Sequence, residues 1–163
     1  MKNTLFYNIT IALSGLFAGG CITILFILVP FWKSLPPTEL MVWFSHNGPY
    51  VGITMLPMQI LPLLFTTYAY ILARKNKEKS KEIWLYANIS NGIILLMFVG
   101  YYLSVNLQFI NQTMNPDDVA FELQRWEMIH FARTILAILS TVLAIVAYFR
   151  YEEDRNTKIT TTL

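Results

Sequence analysis

Four apolar runs, at about residues 5–29, 49–73, 83–105 and 129–149, constrain this chain more than any other feature. Each supplies close to the roughly 20 apolar residues that a helix needs to cross the hydrocarbon of a bilayer. Lipid leaves a chain little choice, because every backbone N–H and C=O must be satisfied inside the protein, and a helix does this within one segment. Charged residues make up 13% of the sequence, against about 25% in soluble domains. The expectation is therefore an all-α, integral membrane four-helix bundle, a single domain over 1–163 with a polar tail from 150 onward. The first run sits where a secretory signal would. It is too long for such a signal and no small-residue cleavage site follows it, so it reads as a retained span.

Orientation follows from the twelve Lys and Arg residues. Five fall in residues 74–82, and Lys2, Arg150, Arg155 and Lys158 belong to the same end. Only Lys33, Arg125 and Arg133 belong to the other. The positive-inside rule then predicts both termini cytoplasmic, in a plasma (inner) membrane. Orientation accounts for the basic residues, so no nucleic-acid partner is expected. The single cysteine, Cys21, excludes an intramolecular disulfide and a cysteine-rich metal site.

Between the spans, Pro30 is expected to end the first helix. Thr38 then caps a short interfacial helix that ends at His46 and lies over the bundle as a partial lid. Trp32, Trp43 and Phe44 suit the headgroup layer. Pro57 and Pro62 should distort the second span around Gln59, with Met55 and Met58 nearby, either to wall a ligand cavity or simply to fit the bundle. Asn88, Asn91, Tyr102 and Asn106 fall on one stripe of the third span, and the first two suit interhelical hydrogen bonds. Gly15 and Gly19 allow close packing within the bundle, or a homo-oligomer seam. The outer connection carries Asn111, in an Asn-Gln-Thr sequon, and ends where Asn115 caps a helix opening on Pro116. The tail after residue 150 reads as disordered.

The residues with most chemical content lie where the fourth helix changes from polar to apolar. Trp126, His130 and Arg133 fall within about 60° of one another on a helix, and Glu122 shares that face. Ala137, Ser140 and Ala144 continue the face inward. Each has an ordinary alternative: Arg133 reaching headgroup phosphates or Glu127, His130 as an interfacial histidine, Trp126 as a belt anchor. His46 and His130 at one end also allow a bis-histidine haem or a copper site, although the chain carries no established metal, nucleotide or hydrolase motif.

A glycine-bearing first span ending in Val29-Pro30, asparagines at 106 and 111, and the segment LQRWEMIHFART together resemble the anthrone-oxygenase-like family of small four-helix membrane proteins. The likeness covers nearly the whole chain, and its specific part is the asparagine with the W-x3-H-x2-R pattern. It implies a cofactor-free oxygenase acting on a lipid-soluble polycyclic phenol or quinol. His130 would take a proton, Arg133 would stabilise the oxyanion, Trp126 would stack on the ring, and Asn106 or Asn111, with His46 above, would hold the substrate. The same end equally suits a non-enzymatic component that binds a lipid, a quinone or a partner protein. Transport fits four spans without repeats poorly.

Overall fold

The computed structural model describes residues 2–161, with side chains from 3 to 157. It contains four antiparallel helical rods. The first, α1, spans residues 2–33, with Lys2–Thr23 and Val29–Lys33 joined through a π-helical turn at Ile24–Leu28. The others are α2 (Pro37–Lys75), α3 (Lys81–Ile110) and α4 (Pro116–Thr161). A second π-helical turn, Phe98–Tyr102, interrupts α3. All four rods are long and apolar enough to cross a membrane. Their outward faces carry large apolar side chains such as Leu16, Phe26, Ile53, Leu96 and Phe131.

Three expectations need correction. Pro30 does not end α1, which runs on to Lys33. The wider π turn just before it, closed by Val29 N–H to the Ile24 carbonyl, carries the chain through the proline. The short interfacial helix capped by Thr38 is not a separate element either. Pro37 occupies the first helical position and one helix continues through Pro49, Pro57 and Pro62. Gly48 offers no Cβ for the Pro49 ring to clash with. Ser45 and Asn47 also bond back to the Val42 and Trp43 carbonyls, which holds the turn before Pro49 helical. Finally, the tail is helical to Thr161. Its charges pair along the helix, as in Arg150 with Glu153, and Asp154 lies near Lys79 of the α2–α3 turn.

The terminal end is clasped by Glu78. Its carboxylate accepts from Tyr7 Oη at 2.8 Å, Asn76 Nδ2 at 3.1 Å and Ser80 Oγ at 3.2 Å, which ties α1 to the turn between α2 and α3. Glu78→Ala would strand those donors in a buried setting. It is expected to destabilise the bundle by about 1–3 kcal/mol, seen as a lower unfolding midpoint in detergent.

Lys77 and Gln112 sit at positive φ, 52° and 54°, each just beyond a helix end. In both turns the next N–H reaches back five residues, Glu78 to the Ala73 carbonyl and Thr113 to Gln108, which caps the helix with a left-handed residue. Gln112→Gly should remove the Cβ penalty there and stabilise the fold by about 0.5–1 kcal/mol, read from the same unfolding midpoint.

Small residues bring α4 against its neighbours: Ala137, Ser140 and Ala144 are all buried. Asn91 bridges from α3 to Ser140 on α4 at 2.9 Å and to Thr66 on α2 at 3.2 Å, while the Asn88 side-chain oxygen accepts from Thr67 at 2.8 Å. Gly15 packs toward Thr141 within the chain, and Gly19 has open space beside it.

Candidate functional site

The other end of the bundle holds an aromatic cluster of Trp32, Phe44, Tyr102, Phe109 and Trp126, all buried. Trp32, Trp43 and Phe44 therefore pack on one another, at ring separations of 4.7–5.4 Å, and Trp32 also meets Trp126 edge-on at 5.4 Å. Below this cluster lies a cavity of about 180 Å³, lined by all four rods. Most of its lining is apolar, including Ile24, Phe44, Met55 and Phe98. Its polar side chains are Gln59, Asn106, His130 and Arg133, and Trp32, Trp43 and Trp126 add their indoles.

The three α4 residues that share a face in the sequence do face one space. Trp126 stacks on His130 with centroids 4.8 Å apart and planes 21° from parallel. The Trp126 indole N–H donates to Asn106 Oδ1 at 3.0 Å, which joins α4 to α3. His130 is fully buried, and its Nε2 lies 3.0 Å from the Cys21 carbonyl oxygen. A carbonyl only accepts, so Nε2 carries a proton, and in the neutral imidazole this leaves the lone pair on Nδ1. That Nδ1 is buried and has no hydrogen-bond partner among the described residues.

Arg133 does not reach the surface and does not pair with Glu127, which is held instead by Lys33 at 2.6 Å. The guanidinium donates from Nη2 to Gln59 Oε1 at 2.6 Å and lies over the rings of Tyr102 and Phe17, at 5.0 and 5.3 Å. Among the described residues no carboxylate forms an ion pair with it. A buried charge is costly unless it is paired or well hydrogen-bonded. One amide oxygen and two aromatic faces leave this cation only partly compensated. The amide nitrogen of Gln59 and the indole nitrogen of Trp32, both buried and on residues that line the cavity, are also donors without a partner among the described residues.

Three expected members lie elsewhere. Asn111 is exposed at the end of α3 and does not line the cavity. His46 is exposed on the outer face of α2, its Nδ1 2.8 Å from its own Val42 carbonyl, in a surface groove with Phe31 and Glu39. The unbroken α2 turns it outward, so His46 and His130, the pair considered for a bis-histidine haem or a copper, face different spaces. Glu122 accepts from Tyr101 Oη at 2.6 Å and stays off the cavity. Conversely, Trp32 and the Cys21 carbonyl belong to the site without any sequence signal, and only its place between two prolines marks Gln59 in the sequence.

Both π-helical turns abut this cavity. Ile24 opens the first and Phe98 the second, and both line it. Such turns widen a helix by one residue and occur often at functional sites.

Fold and site together define a class: an all-helical bundle of four membrane-length rods around one mostly apolar cavity with a cationic, hydrogen-bonding floor. No protein-family model matches the chain, and no curated protein or solved structure matches it either.

Proposed function

We propose that the protein is a multi-pass integral membrane protein of the plasma (inner) membrane, both termini cytoplasmic, that oxidises a flat, lipid-soluble phenol or quinol with molecular oxygen. The observation that carries this is the buried Arg133, without an ion-pair partner among the described residues, on the same mostly apolar cavity as His130, whose Nδ1 is likewise unpartnered there. A cation and a base side by side suit a neutral substrate that becomes an oxyanion during reaction.

For an anthrone-like substrate, His130 Nδ1 takes a proton from the ring methylene. The resulting enolate oxygen lies against Arg133 and the Gln59 amide N–H. The electron-rich carbon adds molecular oxygen to give, after protonation, a hydroperoxide. Loss of water then leaves the quinone. One ring methylene and one dioxygen thus become one ring carbonyl and one water: the carbonyl keeps one oxygen atom, and the second leaves as water with both methylene hydrogens. The methylene carbon is oxidised by four electrons and dioxygen takes up all four. The chemistry requires no resident cofactor. Trp126 is already stacked on His130, so it orients the base, and its own N–H is committed to Asn106. Resemblance to the anthrone-oxygenase-like family supports the same chemistry.

A second proposal, simple binding of a quinone or lipid headgroup, draws on the spare donors at Gln59 Nε2 and Trp32 Nε1, which suit carbonyl oxygens at rest. Oxygen uptake and quinone formation on adding anthrone to vesicles that contain the purified protein separate the two. The oxygenase predicts stoichiometric uptake that is lost in Arg133→Gln. Tight anthrone binding without uptake leaves the binding role alone.

A further inference from the structure

The cavity is polar at its buried floor and apolar at its rim. His130 and Gln59 are almost completely buried. Leu56 on α2 and Leu103 and Leu107 on α3 also line it, and each is more than 40% exposed. On α2, Pro49, Gly52 and Leu56 follow one another at helical spacing, and Leu103 and Leu107 do so on α3. These two rows are the sides of a slot.

Glycines show where the slot begins. At Gly48 the two rods touch, since an added Cβ would fall 2.8 Å from Ile110 Cγ1. One turn further, at Gly52, nothing lies within 4 Å of the same added atom although Gly52 lines the cavity. So α2 and α3 meet above and part below, at a level where the surrounding surface is apolar.

We propose that this gap is a lateral portal to the bilayer, that Gly52 sets its width, and that the ligand is an amphiphile: a hydroxylated ring head whose oxygen becomes an oxyanion at Arg133 and an alkyl tail lying out through the slot. This rests on the proposed function only for the head. A cavity of about 180 Å³ is little larger than one that holds a single benzene ring, so it takes the reacting part of a fused-ring head, and the remaining apolar part must lie in the opening. The opening is lined by leucines, which suit an alkyl tail.

The test uses two quinones that quench tryptophan, 2-hydroxy-1,4-naphthoquinone and its 3-octyl derivative, since three of the four tryptophans line the cavity. Binding is read as fluorescence quenching of the full-length protein in phosphatidylcholine vesicles. Gly52→Val and Gly52→Phe should weaken the octyl compound progressively, by at least tenfold for Phe, and change the tailless one by less than threefold. Gly92→Phe, at another glycine with open space and off the cavity, should bind both as wild type does. Leu107→Trp narrows the slot from its opposite wall and repeats the test should the Gly52 variants fail to fold. Wild-type affinity for the octyl compound in both Gly52→Phe and Leu107→Trp overturns the portal, while loss of both compounds in Arg133→Gln would still uphold the head site. Unchanged binding in Arg133→Gln overturns the head site instead. A wild type that binds neither compound overturns both.

Discussion

His130→Gln is expected to lower oxygen consumption with anthrone by about 10²–10⁴-fold, the range associated with a positioned base, while the protein still folds and still binds the substrate. Glutamine is chosen because its amide N–H can replace Nε2 as donor to the Cys21 carbonyl. The buried acceptor is not stranded, and Trp126 keeps a flat surface to pack on. What disappears is the lone pair at Nδ1. Binding is measured by tryptophan quenching and turnover by an oxygen electrode. A variant that turns over at the wild-type rate removes His130 from the chemistry. One that neither binds nor turns over shows that the ring does more than accept a proton.

The second large effect is a gain in stability. Arg133→Met combined with Gln59→Leu replaces a buried cation and its amide partner by apolar side chains of similar length. Comparable replacements of buried ionic groups have been neutral or stabilising by about 1–4 kcal/mol. The double variant should therefore melt above wild type and lose all affinity for acidic quinones. Arg133→Met alone should gain less, because it leaves both ends of the Gln59 amide without partners. If the double variant is less stable than wild type, Arg133 holds the bundle together, and the cavity loses its principal mark of function.

These experiments depend on features that differ in how visible they are before the fold is known. Length and composition alone force four helices, because apolar runs of this kind have few other outcomes. The face shared by Trp126, His130 and Arg133 is equally plain, since it lies within two turns of one helix and needs only a fixed angle per residue. The partners of that face are not. Gln59 is 74 positions from Arg133, and Cys21 contributes a main-chain oxygen that any residue would supply. The sequence misplaces His46 because a Gly-Pro pair ordinarily signals a break, whereas here side-chain bonds to the Val42 and Trp43 carbonyls keep one helix running. Asn106 and Asn111 look interchangeable in sequence. Only Asn106 is one turn below the end of α3, where the Trp126 indole reaches it.

The π-helical turn at Ile24–Leu28 makes α1 behave as two rods out of phase. Beyond this wide turn each residue sits about 100° around the axis and 1.5 Å along it short of where an unbroken α-helix of the same sequence would put it. Trp32 meets Trp126 in that set-back register. Because the turn absorbs one residue, deleting one from it should restore a regular helix and leave Trp32 on the cavity roof, whereas deleting one between the turn and Trp32 would swing the indole away. Chain length can therefore change by one residue inside this turn without moving the roof that the turn supports.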